Sequence, residues 1–74
     1  MSGYAEKIIG ILEPKIGAAM AKTALKTQCK KCGITPENIS AGDLPNLADS
    51  LYAPLKVFAG DAFAQGMVDQ IRKI

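Results

Sequence analysis

Apolar residues recur every three or four positions along most of the chain, which is the spacing of one face of an α-helix. The first such face is formed by Ala5, Ile8, Ile9 and Leu12. Continued straight past Pro14, it would meet only lysines, which cannot be buried together. Because the residue before a proline is also biased away from helical geometry, we expect a first helix over about residues 4–12 and a break near Glu13.

A second helix is predicted over about residues 14–32, with Pro14 in its first turn and Gly33 ending it in a left-handed conformation. One side of this helix carries the basic stripe, which consists of Lys15, Lys22, Lys26 and Lys30. The other side carries small apolar residues, namely Ala18, Ala21, Ala24, Leu25, Cys29 and Cys32. Such a broad face of small residues is typical of a central helix that contacts close neighbours.

Two further helices are predicted over about residues 44–59 and 61–73. The third presents Leu44, Leu47, Ala48, Leu51, Leu55 and Phe58 on one face. Because this face stays in register across Pro54, we expect a kink there and a continuous helix. The fourth presents Phe63, Ala64, Met67, Val68, Ile71 and Ile74.

Between the second and third helices, a short helical turn is predicted near residues 36–39, and Ser40 and Asp43 have the spacing of a capping box. The whole chain, residues 1–74, is thus predicted to be a single all-α domain, a small bundle of four main helices. The composition agrees, since it is 49% hydrophobic but only 5% aromatic and has no Trp.

A short internal similarity links Gly17–Ala21, with the sequence GAAMA, to Gly60–Ala64, with the sequence GDAFA. It has two explanations at this level. Either a helix pair was duplicated, or an alanine-rich chain matches itself by chance.

The net charge of +2 is too small to indicate a nucleic-acid or membrane partner, but the charges are unevenly distributed. Lysines dominate residues 14–36 and acids dominate residues 37–69. The basic stripe is either a solvated helix face or a docking surface for an acidic partner or a nucleic-acid backbone. No aromatic residue interleaves it for base stacking, so we expect at most weak nucleic-acid binding.

The N-terminal segment has neither a basic leader nor a cleavage-site pattern, and its apolar run is too short to span a membrane. We therefore expect a cytoplasmic protein with no membrane partner. In that reducing compartment, the two cysteines are expected to remain thiols.

The motif Cys29-x-x-Cys32 has three interpretations. Zinc requires four ligands and the chain has no histidine, so a metal site would have to be shared between two chains. A redox pair is usually activated at a helix N-terminus, whereas this pair lies at a C-terminus. We favour the third interpretation, in which both cysteines are small core residues.

Residues 33–51 resemble the approach to the prosthetic-group serine of acyl carrier proteins, including the sequence ADSL at Ala48–Leu51. The resemblance implies that Ser50 would carry phosphopantetheine. Such a serine opens a helix, whereas Pro45 predicts an earlier helix start and leaves Ser50 inside the helix.

The sequence GITPENIS at Gly33–Ser40 is also similar to the turn of helix-turn-helix repressors. That resemblance implies a DNA-reading segment at Thr35–Leu44. The segment contains Glu37 and Asp43 but no Lys or Arg to neutralise phosphates.

For catalysis, the sequence offers no histidine, no paired carboxylates on one helix face and no phosphate-binding glycine loop. We expect no enzyme and no cofactor.

The leading hypothesis is a helical protein–protein interaction module that self-associates or belongs to a larger assembly, because a chain this short has a thin core. The expected interface residues are Met20, Phe63, Met67 and Ile71. A nucleic-acid binder and a thiol or metal switch are the alternatives.

Overall fold

The computed structural model describes residues 3–74, and over these residues the protein is all-α, as predicted. Four helices follow one another along the chain: α1 (Gly3–Ile16), α2 (Ala18–Lys31), α3 (Leu44–Ala59) and α4 (Asp61–Lys73). A single 3₁₀ turn, Ala41–Asp43, precedes α3. The predicted bounds of the third and fourth helices are confirmed.

The helices form two hairpins, α1 with α2 and α3 with α4, which pack on each other around one core. Across the two hairpins, α2 contacts α3, α4 contacts α1, and α1 contacts α3. Because the helical faces are amphipathic, each hairpin leaves an apolar surface that only the other covers. The largest fully buried side chains come from both hairpins: Ile8, Leu12, Leu25, Cys29, Leu47, Leu51, Leu55 and Ile71.

The boundary between the first two helices was predicted wrongly. The chain stays helical through Pro14 to Ile16 and turns at Gly17. A proline in the exposed last turn of a helix removes only one hydrogen bond, and the Gly17 N–H still donates to the Glu13 carbonyl at 2.9 Å. The backbone of Gly17, with φ 83° and ψ 158°, is in a region that only glycine adopts readily, so the break falls there.

The predicted left-handed end of α2 is confirmed at Gly33. The Ile34 N–H donates to the Cys29 carbonyl at 2.9 Å and the Gly33 N–H to the Lys30 carbonyl at 3.2 Å, which is the hydrogen-bond pattern of a Schellman motif.

The predicted helical turn near residues 36–39 is wrong. Thr35 and Asn38 close an ordinary turn instead, because the Asn38 side chain accepts a hydrogen bond from the Thr35 N–H at 2.7 Å. The helical turn lies later, at Ala41–Asp43, where the predicted capping box of Ser40 and Asp43 forms.

Helix α3 continues through Pro54, as predicted.

The predicted buried faces are correct at most positions but wrong near the helix ends. Phe58, Phe63 and Ala18 are exposed, and Cys32 is half-buried. These residues lie in the first or last turn of a helix or just beyond it, where the neighbouring helices no longer cover the predicted face.

The turns inside the two hairpins have the same backbone geometry. Gly60, with φ 88° and ψ 162°, matches Gly17, and each is the only residue between its two helices. The N–H of Gly60 donates to the Lys56 carbonyl at 3.0 Å, and its carbonyl accepts from the Ala64 N–H at 2.9 Å. Gly17 makes the same two bonds four residues before and after it, at 2.9 Å each.

The equivalence extends to the core. Shifting the first hairpin by the 43 positions that separate Gly17 from Gly60 aligns most buried residues with buried residues. The matching buried pairs are Ala5 and Ala48, Ile8 and Leu51, Leu12 and Leu55, Ala21 and Ala64, Ala24 and Met67, Leu25 and Val68, and Gln28 and Ile71. Cys29 is the main exception, since it corresponds to the exposed Arg72. The contact of α2 with α3 likewise corresponds to that of α4 with α1. The fold is therefore a structural repeat of one helical hairpin, and the short sequence similarity at the glycine turns is part of it.

Because the two turns require positive φ, Gly17→Ala and Gly60→Ala should each lower the free energy of unfolding by about 1–3 kcal/mol. As controls, Gly10→Ala and Gly66→Ala replace glycines inside helices, where an added Cβ meets no atom within 4 Å. These controls should raise stability by about 0.5–1 kcal/mol. Urea unfolding followed by circular dichroism measures both effects, and equal changes at all four positions would contradict the assignment of the turns.

Candidate functional site

Cys29 lies on the inner face of α2 and has no exposed surface. Burial, together with the nearby Cys32 and the carboxylates of Asp43 and Glu37, raises the pKa of the Cys29 thiol from 9.0 to about 11. A thiol with such a pKa is protonated at neutral pH, and the thiolate is the species that attacks disulfides and binds metals. The environment of Cys29 therefore opposes both redox and metal chemistry.

Cys32, one turn further on, is half-buried and its thiol is free. Its Sγ lies 3.4 Å from the Ser50 hydroxyl of α3, so the two side chains join the end of α2 to the middle of α3. Within residues 3–74, no three His, Cys, Asp or Glu side chains are grouped as metal ligands. An ion shared between two chains would have to reach Cys29, which is covered by its own chain.

The structure tests the two local resemblances. Ser50 is half-buried inside α3, six residues after its start, and not at the opening of a helix as in a carrier protein. The segment implied to read DNA, Thr35–Leu44, contains no α-helix before Leu44. Neither segment therefore has the local structure that its resemblance implies.

The basic stripe is shorter than the sequence predicted. Lys22, Lys26 and Lys30 lie on α2, but Lys15 belongs to α1 because the chain turns at Gly17. The Lys15 Nζ lies 3.8 Å from the centre of the Phe63 ring, which is a cation–π contact between α1 and α4. Lys15 is thus already engaged within the bundle.

Lys22, Lys26 and Lys30 line one side of a groove with a volume of about 640 Å³. The other side is the segment of residues 33–37, which includes Ile34, Pro36 and Glu37. We call this feature the lysine groove. Sequence analysis found its lysines but missed its second wall, because only the Schellman turn at Gly33 folds that segment back beside α2.

Large apolar side chains are exposed close to the two glycine turns. Val57 is 81% exposed, Phe58 53%, Phe63 51% and Met20 38%. The contact of Lys15 with Phe63 shows that both glycine turns lie at the same end of the bundle. Helices α2 and α3 contact each other, and in the repeat Phe58 and Met20 correspond to Lys15 and Phe63, the pair that forms the cation–π contact. We call Met20, Val57 and Phe58 the apolar patch.

Of the four residues expected at an interface, Met67 and Ile71 are buried in the core of their own chain. Their helix face is covered by the first hairpin, so they offer no surface to a partner. Met20 and Phe63 remain exposed. The sequence did not predict Val57 and Phe58 as interface residues. Phe58 has the helical spacing of the predicted core face, and no local sequence pattern indicates that Val57 is exposed.

None of the helices within residues 3–74 has both the length and the apolar character needed to cross a membrane.

The two cysteines should differ in their reaction with iodoacetamide. Cys32 should be alkylated first, and Cys29 should stay protected in the native protein until it unfolds. Mass spectrometry of the labelled peptides separates the two sites. Fast native labelling of Cys29, or a disulfide between the two, would contradict the structural role.

The raised pKa of Cys29 also predicts a pH dependence. Between pH 9 and about 11, the unfolded chain loses the thiol proton while the folded protein keeps it, so the free energy of unfolding should fall as the pH rises. Cys29→Ala should lower stability at pH 7 by about 1–3 kcal/mol and should remove this part of the slope. Cys32→Ala serves as the control: it should keep most of the slope, because burial is the largest cause of the raised pKa of Cys29 and Cys32 only adds to it. Urea unfolding at each pH is the measurement.

Comparisons of the chain with protein-family models, with curated proteins and with solved structures find no match in any of the three.

Proposed function

We propose that the protein is a small helical interaction module that self-associates through the apolar patch and has no catalytic activity. The observation that carries this proposal is the exposure of large apolar side chains within three residues of the glycine turns, at Met20, Val57, Phe58 and Phe63. The most exposed of them, Val57, shows 81% of its surface to solvent.

The energetics favour covering this surface. Burial of one large apolar side chain contributes about 1.5–3 kcal/mol, so that even a few such residues offset much of the entropic cost of association. Methionine and phenylalanine are also enriched at the centres of interfaces. A second copy of the chain is the simplest partner, because a two-fold contact lets the patch pack against itself.

The described residues also support the absence of catalysis in this proposal. The pKa of the Cys29 thiol is shifted in the direction that makes this thiol less reactive. The hydroxyl of Ser50 lies against Cys32, and no histidine exists in the chain to act as its base.

Sedimentation velocity over micromolar to hundreds of micromolar concentrations tests the proposal. The wild type should form a dimer or a larger species at tens of micromolar. The double substitution Val57→Lys with Phe58→Lys should shift the protein to monomer, because two charges would be buried without partners at the interface. The high exposure of both residues means that the fold should tolerate the change.

Asn46→Lys with Gln70→Lys is the matched control, since it adds the same two positive charges at exposed positions outside the apolar patch. It should leave the sedimentation profile unchanged. A wild type that stays monomeric over the whole range, or a double variant that associates as well as the wild type, would refute self-association through this patch.

A further inference from the structure

We propose that the lysine groove binds an acidic amphipathic helix of another protein. This surface is separate from the apolar patch, so the inference goes beyond self-association and does not depend on it. Its support comes from the spacing of the lysines, the chemistry of the groove and the structural repeat.

The lysines are spaced to match a helix. Lys22, Lys26 and Lys30 lie one turn apart on the exposed side of α2 and therefore span about 12 Å along its axis. Glutamates four residues apart on an approaching helix repeat at the same interval. A partner helix lying along α2 could thus place one carboxylate beside each ammonium group without distorting either backbone.

The charge of these lysines is not balanced inside the protein. Helix α2 contains no acidic residue, and none of the three ammonium groups forms an ion pair with a carboxylate within residues 3–74. Among residues 3–74, Glu37 at the opposite wall is the one acid that lines the groove. The groove therefore has an excess of two positive charges, and it is complementary to an acidic ligand.

The groove also has an apolar component. Ile34 and Pro36 are half-buried and line it beside the aliphatic stems of the lysines. This surface suits the apolar face of an amphipathic helix, which is held in a groove by side chains at helical spacing.

A protein helix fits these features better than a nucleic acid. The negative charge of Glu37 disfavours a ligand that is uniformly anionic, whereas a peptide can place a neutral or basic residue at that point. No aromatic residue of the described part of the chain lines the groove, so unpaired bases would find no ring to stack on there.

The structural repeat shows that the fold does not require lysine at two of the three positions. In the second hairpin, Gln65 and Asp69 occupy the positions that correspond to Lys22 and Lys26, whereas Lys30 corresponds to another lysine, Lys73. The side chains of Lys22, Lys26, Gln65 and Asp69 are all exposed. Two hairpins with the same core positions thus differ in the charge of their outer faces, which is the part of each hairpin that a partner would contact.

The probe is a synthetic 18-residue helical peptide with leucines on one face and glutamates every fourth position on either side. Its controls are a peptide with the same composition in shuffled order and a peptide with glutamine in place of each glutamate. Fluorescence anisotropy measures their binding to the full chain, with a random duplex DNA as a further ligand. The wild type should bind the probe with a micromolar dissociation constant and should bind both control peptides at least about tenfold more weakly.

The groove variant combines Lys22→Gln with Lys26→Asp, which places the residues of the second hairpin in the first. It should bind the probe at least about tenfold more weakly than the wild type. The control variant combines Lys7→Gln with Lys56→Glu, which changes the net charge equally but outside the groove. It should bind within about twofold of the wild type, since exposed charges beyond a Debye length are screened.

Equal losses in the two variants would overturn the proposal, because net charge alone would then explain binding. Tighter binding of the DNA than of the probe would overturn it too, in favour of a nucleic-acid interface. Equal binding of the probe and its shuffled control would also refute it, and this comparison needs no variant that might fold poorly. The groove variant should still self-associate in sedimentation, so failure here and failure of the proposed function are distinguishable.

Discussion

Every other feature of the structure depends on the mutual burial of two helical hairpins, each folded at a single glycine. Neither hairpin can bury its apolar face alone, because two helices cover only one side of each other. Gly17 and Gly60 reverse the chain within one residue, and their positive φ values are readily available only to glycine. These short turns hold each helix pair in register, so that Leu12 and Leu55, both fully buried, enter the same core from opposite hairpins.

The repeat separates what the fold needs from what each hairpin presents to its surroundings. Most inner positions match in burial and in apolar character, since they pack into one shared core. The outer positions differ more often: Lys22 and Lys26 of α2 correspond to Gln65 and Asp69 of α4. The lysine groove therefore includes positions at which the two hairpins differ in charge.

The reactivity of the cysteine pair depends on where the fold places each thiol. A CxxC motif is compatible with metal binding, with redox exchange or with simple packing, and its spacing does not discriminate among them. The structure places Cys29 in the core, where desolvation keeps its thiol protonated, and directs Cys32 toward Ser50 of the next hairpin. Both arrangements contribute to packing and to the junction between hairpins.

Hydrophobic periodicity is sufficient to predict the all-α class, the number of helices, the bounds of α3 and α4 and most of the core, because it indicates which face of each helix is buried. The same pattern places the first turn wrongly, at Pro14 instead of Gly17, and therefore places Lys15 on the wrong helix. Which ends of the apolar faces are covered depends on the packing of the whole bundle. That packing buried Met67 and Ile71, left Val57 and Phe58 exposed, and folded residues 33–37 back to form the second wall of the lysine groove. These outcomes depend on how far each neighbouring helix extends, and that distance is a property of the packed bundle that no local pattern contains.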